Sequence, residues 1–364
     1  MQPAGHHSQI LLKALADPAS IQSFSLGEWD LLLRQARTAK VLARIAILAA
    51  DMDLIVGFPE KIQESLEAAR KIFAYRQRLL SWEVGRIQAA LRGLESPILL
   101  LKGAAYELAG LPPARGRIAS DVDIMVPESA LPSVEAAFLR HGWEHSLLEP
   151  YDQKYFRDWM HELPPLVHRD RAGIVDVHHA ILPRTSRLKP SAAKLWSSAT
   201  TLGDSGLFVL SPVDMVLHSA AHAFHDGEIA LALRDLVDVH DLLLHFGRQP
   251  DFWTNLAPRA AALDLSRPLY YALRYAALML GTPVPEDVAA EARRLAPGRL
   301  VRAAMDRLVP GVLTPDHPDA PPQGQSRATL LLYIRSHWLK MPPTLLTVHL
   351  CRKAVYRLFP REGE

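Results

Sequence analysis

Apolar residues recur at three- and four-residue spacing along the first quarter of the chain. The pattern runs from Trp29 to Ala49 and again from Ile62 to Leu91, and Pro59 separates the two runs. A period of about 3.6 residues is that of an amphipathic helix, and a proline between two such runs marks a break. The region 1–95 is therefore predicted to be helical.

Beyond this region, short apolar runs begin to alternate with helical ones. Pro97–Leu101 and Asp121–Val126 are typical of buried strands. Gly173–His178 is a third predicted strand, expected to pair with Leu163–Arg169. Strands that alternate with helices predict a small mixed α/β domain over 96–210.

Helices return after the predicted sheet. Ser211 is suited to the N-cap position and Pro212 to the first turn of a helix. A helical domain is expected over 211–310, then a Pro-rich linker over 311–325 and basic helices over 326–364. We thus predict an α+β protein in which a small mixed β-sheet domain is framed by N- and C-terminal helical regions.

Composition narrows the class of protein. The 364 residues suggest about two domains. The chain has 41 Lys and Arg against 39 Asp and Glu, a net charge of +2, which argues against a broad nucleic-acid-binding surface. A single cysteine, Cys351, indicates a reducing compartment. The polar Met1–Ser8 predicts no leader, and charges interrupt the most apolar stretch, Val41–Phe58, so we expect no transmembrane segment and a cytoplasmic protein.

Paired aspartates on one predicted strand are the most informative feature. Asp121 and Asp123 are two residues apart, so both carboxylates would point to one side of the strand. Asp176 lies on another short apolar strand. If the two strands are neighbours, three carboxylates could converge on a pair of divalent ions, as in phosphoryl or nucleotidyl displacement. Mg²⁺ prefers such carboxylate oxygens together with substrate phosphates.

The order of these motifs resembles the polymerase-beta-type nucleotidyltransferase superfamily, and most closely its uncharacterised bacterial branch. Leu-Lys-Gly-Ala ends at Ala104, Arg-x-x-Ser-Asp-x-Asp ends at Asp123, and Asp176 lies between apolar residues before two histidines. A histidine-bearing helix and Leu-Arg-x-x-x-Asp, ending at Asp238, follow. The resemblance covers about residues 75–250. It implies transfer of a nucleoside monophosphate from an NTP, expected to be ATP, to an acceptor hydroxyl with release of pyrophosphate.

The resemblance also implies a role for each matching residue. The catalytic residues and Mg²⁺ ligands would be Asp121, Asp123 and Asp176. The nucleotide-binding residues would be Lys102, Gly103, Ala104, Arg117 and Ser120, with Gly103 in the phosphate-binding turn. The substrate-binding residues would be His178, His222, Arg234 and Asp238. The acceptor stays open among sugar, antibiotic, peptide and protein hydroxyls.

Two alternatives remain at the level of the sequence. Many superfamily members have serine where this chain has Ala104, which favours a nucleotide-binding or interaction protein without strong catalysis. His218, His222 and His225 recur at i, i+4 and i+7, which would suit the zinc site of a metal hydrolase.

Two further residue patterns also have two interpretations each. Arg234 and Asp238 lie one helical turn apart, as either a surface ion pair or support for the cleft. His178 could orient a substrate or simply form a hydrogen bond within the sheet.

Overall fold

The computed structural model describes residues 6–146, 149–226, 232–313 and 325–347. Within these ranges the fold is α+β, as predicted, with a mixed sheet between helical regions. The N-terminal helices are α1 (His6–Ala16), α2 (Leu26–Thr38), α3 (Leu42–Asp51) and α4 (Glu60–Ala90).

The N-terminal helices begin and end where local chemistry allows. Ser25 caps α2 and forms a reciprocal capping box with Glu28. Pro59 occupies the N-cap of α4, which confirms the predicted break. The apolar run from Trp29 to Ala49 is two helices rather than one, because the chain turns between α2 and α3 with Lys40 at a φ of 57°. A periodic apolar pattern gives no signal for one residue in the left-handed conformation, so the sequence did not predict this turn.

The middle of the chain forms the sheet. Its elements in order are β1 (Ile98–Leu100), α5 (Lys102–Leu108), β2 (Asp121–Met125), α6 (Leu131–Arg140), β3 (Trp143–His145), α7 (Pro150–Lys154), β4 (Leu166–His168), β5 (Ile174–His178), α8 (Ala192–Ser198), β6 (Thr200–Thr201) and β7 (Leu207–Val209). The strand order is β3-β4-β5-β2-β1-β7-β6. β2 runs parallel to β5 and antiparallel to β1, while β4 pairs antiparallel with β5 as the sequence predicted.

Helices follow the sheet to the end of the described chain. They are α9 (Pro212–Ala221), α10 (Ala232–Phe246), α11 (Phe252–Ala262), α12 (Ser266–Leu280), α13 (Glu286–Arg294), α14 (Arg299–Leu313) and α15 (Gln325–Lys340). The predicted start of α9 is confirmed, since the Ser211 side chain accepts a hydrogen bond from the Asp214 N–H. The predicted linker 311–325 overlaps the end of α14, and its residues 314–324 lie outside the described residues. So do residues 348–364, with Cys351 and most of the basic C-terminal residues.

Buried apolar side chains join the sheet to the helices. One cluster joins Leu66 of α4, Ile124 of β2 and Leu236 of α10. α4 packs against β2, α5 and α6, while α9, α10 and α12 pack against one another. The predicted domain boundaries remain a prediction. Among the helices of the described ranges, none combines the length and the hydropathy that a transmembrane segment requires.

Candidate active site

Strands β2 and β5 bring the predicted carboxylates together. In their parallel register, Asp123 is directly opposite Asp176, and Asp121 is opposite Ile174. Side chains at paired positions of neighbouring strands, and two residues apart on one strand, face the same side of a sheet. Asp121, Asp123 and Asp176 therefore share one face, with strands about 4.8 Å apart. Val122 and Ile124 point to the other face and are buried.

The side chains of Lys102 and His178 both form a hydrogen bond with the Asp123 carboxylate. The Lys102 ammonium donates to Asp123 Oδ1 at 3.1 Å, and His178 Nε2 lies 3.0 Å from the same oxygen. Burial alone would raise the pKa of Asp123, but Lys102 and His178 hold it well below its usual range. Asp123 is therefore ionised although only 7% of the residue is exposed. Both contacts use Oδ1, so neither of them requires Oδ2.

Lys102 reaches this carboxylate from an unusual backbone conformation. It lies between β1 and the body of α5 with a φ of 44°, a region that costs a non-glycine residue about 1–2 kcal/mol. The next residue, Gly103, allows close contact, because a Cβ there would lie 2.6 Å from Arg117 Nη1 and 2.9 Å from Ala119 Cβ. The turn thus places an ammonium group beside Asp123 and a guanidinium group against Gly103.

Asp176 lies in a crowded anionic environment. Among the residues described, its Oδ1 is buried without a hydrogen-bond partner. Burial, then the charges of Asp123 and Glu162, raise the pKa of Asp176 to about 7. Since a buried carboxylate oxygen normally has a partner, this atom is a natural ligand position for a cation.

Glu162 is a fourth carboxylate on the same face. The Leu163 N–H donates to the Val177 carbonyl at 2.9 Å, so the segment before β4 pairs with the end of β5 and puts Glu162 opposite His178. Opposite residues of an antiparallel pair share a face. Glu162 Oε2 lies 3.3 Å from His178 Nδ1.

The acids on both sides of His178 determine its charge. Burial acts to lower the pKa of the His178 imidazole, but Glu162 and Asp123 outweigh burial and raise it. His178 thus links Asp123 and Glu162 on the face that carries the carboxylates, and only 3% of the residue is exposed.

A row of buried acids on α10 anchors the loop that carries Arg117. Arg117 Nε donates to Asp238 Oδ2 at 2.8 Å, and both side chains are less than a tenth exposed. Burial acts to lower the pKa of Arg117, but Asp238 and Asp235 raise it, so the guanidinium stays charged. One turn along, Asp241 accepts a bond from Arg44 at 2.6 Å. Helix α10 therefore fixes Arg117 beside the Gly103 turn.

His222 and Arg234 both bond to Asp235. His222 Nδ1 lies 2.8 Å from Asp235 Oδ2, and Arg234 Nη2 donates to Oδ1 at 3.1 Å. The surface ion pair considered for Arg234 and Asp238 is wrong, because these two residues have different partners and Asp238 is buried. The side chains of His222, Arg234, Asp235, Asp238 and Arg117 form a polar row along α10 that reaches the Gly103 turn.

Among the residues described, His218, His222 and His225 do not bring their ligand atoms together in one cluster, so the zinc site considered for them is wrong. α9 ends at Ala221, and residues His222–Asp226 form a π-helical turn, so the α-helical spacing of His218, His222 and His225 is lost. His222 bonds to Asp235, whereas His225 Nε2 bonds to the Ser186 hydroxyl at 2.8 Å. Burial and the nearby Lys102 lower the pKa of His218 well below its usual value.

Four residues at the site differ from what the motifs alone indicated. Ala104 is 1% exposed, so its methyl group packs in the core, while Ser120 is exposed just before β2. Glu162 and Asp235 were missed. An extension of the predicted β4–β5 pairing by a few residues would have found Glu162, but Pro164 and Pro165 obscured it.

This fold and its carboxylate-bearing strands have the form that the resemblance to nucleotidyltransferases implies. The chain belongs to the family described as "Uncharacterised nucleotidyltransferase", whose model matches residues 25–281. The match starts at Ser25, the N-cap of α2, and ends at Gly281 after α12. The family region is thus wider than the motifs and includes α2–α4. No curated protein and no solved structure gave a significant match.

Proposed function

We propose that this protein is a Mg²⁺-dependent nucleotidyltransferase that moves a nucleoside monophosphate from an NTP, with ATP as the expected donor, to an acceptor hydroxyl. The observation that carries the proposal is the register pair Asp123–Asp176, with Asp121 on the same strand face. Within a nucleotidyltransferase family, carboxylates on adjacent strands are the group that two divalent ions would need.

The residues present fit Mg²⁺. The carboxylates of Asp121, Asp123 and Asp176 offer hard oxygen donors, which this ion prefers. Asp176 Oδ1 has no hydrogen-bond partner among the residues described, and burial, then the nearby carboxylates of Asp123 and Glu162, raise the pKa of Asp176 to about 7. When bound, Mg²⁺ would neutralise charge on the triphosphate.

The chain's own residues would orient the reactants. Lys102 and His178 fix Asp123, and Asp238 fixes the Arg117 guanidinium against Gly103. That arrangement supports a phosphate-binding role for the turn and for Arg117. The acceptor oxygen would form a bond to the α-phosphorus while the bond from this phosphorus to the bridging oxygen breaks and pyrophosphate leaves. Asp176 would accept the hydroxyl proton, as a carboxylate held within reach of the acceptor.

The acceptor is expected to lie between Asp176 and the polar row on α10. His222, in the π-helical turn before α10, and Arg234, in the first turn of α10, are partly exposed and are held by Asp235. Polar groups held in place on a helix beside the sheet are suited to bind an acceptor. Replacing His222 or Arg234 by Ala is expected to weaken acceptor use while Mg·NTP binding stays nearly unchanged.

Pyrophosphate release tests the proposal. The full chain would be incubated with Mg²⁺, each NTP and a panel of hydroxyl-bearing metabolites. Asp176→Asn is expected to abolish release, while the exposed Asp170→Asn in the β4–β5 turn is the matched control. A protein that binds Mg·NTP but releases no pyrophosphate with any acceptor would instead be a nucleotide-binding protein. Equal release by wild type and Asp176→Asn would contradict the assigned site.

A further inference from the structure

A second group of metal-ligating side chains lies at the end of β5. His161, Glu162 and His178 each offer one ligand atom, and these three atoms lie within 4.8 Å of one another. Both histidines are buried, at 6% and 3% exposure. The Glu162 side chain is 17% exposed, which leaves a route for an ion from solvent.

The His178 ring turns its Nδ1 toward this group of side chains. Within the described part of the chain, its Nδ1 is buried and makes no hydrogen bond, although Glu162 Oε2 is only 3.3 Å away. Two ligands placed 2.0–2.1 Å from a tetrahedral zinc ion are about 3.3 Å apart. The separation of Nδ1 and Oε2 therefore matches one edge of a zinc tetrahedron.

The other ring nitrogen of His178 favours the same arrangement. Nε2 lies 3.0 Å from Asp123 Oδ1, and a carboxylate can only accept, so Nε2 carries the proton in this bond. In the neutral ring Nδ1 is then the nitrogen with a lone pair. A histidine that donates to a carboxylate from one nitrogen and ligates a metal with the other is a recurring device in metal sites.

We propose that His161, Glu162 and His178 bind one zinc-class divalent ion, at a site different from the Mg²⁺ site of the three aspartates. Two imidazoles and one carboxylate are a zinc donor set, and they leave a fourth position for water. Imidazole does not suit Mg²⁺, so the two sites would select different ions. The bound ion would fix the His178 ring and thereby the orientation of Asp123. The zinc site itself does not depend on the proposed transferase activity.

Zinc titration of the full chain tests this site. Protein freed of metal by a chelator would compete with a chromophoric indicator for Zn²⁺, without nucleotide. Wild type is expected to bind one equivalent, and His161→Ala and Glu162→Gln are expected to weaken binding at least tenfold. His141→Ala removes an exposed histidine and is the matched control, with unchanged affinity. Circular dichroism would check that each variant is folded.

X-ray absorption of zinc-loaded wild type gives a test that needs no variant. It should show two imidazoles and further light donors around the ion, and excess Mg²⁺ should not displace it. The proposal is overturned if wild type binds no stoichiometric zinc, or if both variants bind it as wild type does. It is also overturned if Mg²⁺ displaces the zinc and Asp121→Asn, not His161→Ala, loses it. That last result would assign the ion to the aspartates and leave the proposed transferase intact.

Discussion

Asp123 and Asp176 lie directly opposite each other on neighbouring parallel strands, yet they have opposite electrostatic environments. Asp123 is bonded to Lys102 and His178, which hold its pKa well below its usual range against the effect of burial. Asp176 has burial and three other carboxylates acting on it, and its pKa is raised to about 7. Two carboxylates with separated pKa values are suited to different roles, a permanent anion and a proton acceptor.

The raised pKa of Asp176 predicts that ionisation of this carboxyl group destabilises the folded protein when no metal is bound. The folded-state pKa of about 7 exceeds the usual value of 3.8, so the folded state binds this proton more tightly than the unfolded chain. The stabilising contribution of the protonated form is complete below about pH 4 and is lost as the pH rises to about 7. Asp176→Asn mimics the protonated form. With EDTA present we expect it to be more stable than wild type at pH 8, by up to about 4 kcal/mol.

Urea unfolding at pH 5 and pH 8 would measure this effect. The difference between Asp176→Asn and wild type should shrink toward pH 5, and the exposed Asp170→Asn should show no such trend. A variant that is equally stable relative to wild type at both pH values would show that Asp176 is not under electrostatic strain.

Gly103 is expected to be intolerant of a side chain. Its added Cβ would lie 2.6 Å from Arg117 Nη1 and 2.9 Å from Ala119 Cβ, so the turn or Arg117 must move. Gly103→Ala should cost about 1–3 kcal/mol of unfolding free energy. Gly85→Ala in α4 is the matched control, because its Cβ would meet open space and should stabilise the helix by about 0.5–1 kcal/mol. A neutral Gly103→Ala would show that Arg117 does not need its place against the turn.

Removal of one partner of the buried ion pair Arg117–Asp238 should lower the free energy of unfolding substantially. Asp238→Ala leaves an uncompensated buried guanidinium, which costs about 3–5 kcal/mol. The double variant Arg117→Met with Asp238→Leu should recover much of this loss, because no unpaired charge remains. Asp30→Ala, which breaks an exposed pair with Arg34, should cost less than about 1 kcal/mol. Chemical denaturation of the four proteins would measure these differences, and a cost below 1 kcal/mol for Asp238→Ala would refute the anchoring role of α10.

The sequence allowed four of the seven described strands (β1, β2, β4 and β5) and their carboxylates to be predicted because both follow local rules, whereas β3, β6 and β7 were not predicted. Short apolar runs mark the strands, and a spacing of two residues puts Asp121 and Asp123 on one face. The position of Asp176 opposite Asp123 depends on the parallel register of β2 and β5, which the sequence did not predict. The assigned roles of these residues stay predictions.

The remaining features depend on contacts that no local pattern records. Arg117 and Asp238 are separated by 121 positions in the chain, and each alone has the pattern of a surface charge. The π-helical turn after Ala221 rotates His222 and His225 away from the expected helical phase. The pairing of Glu162 with His178 extends the sheet past two prolines, which normally mark the end of a strand.

We propose that the three aspartates bind metal-complexed nucleotide, and Mg·ATP-dependent thermal stability provides the decisive test. Mg·ATP at about 100 times its dissociation constant should stabilise wild type by roughly 2.7 kcal/mol, and ATP without Mg²⁺ should give much less. Asp123→Asn keeps the shape of the side chain but removes one metal-neutralising charge, so Mg·ATP should no longer stabilise this variant, whereas it should still stabilise Asp170→Asn. If Mg·ATP stabilises folded Asp123→Asn as much as wild type, Asp123 is not a metal ligand and the account of this site is wrong.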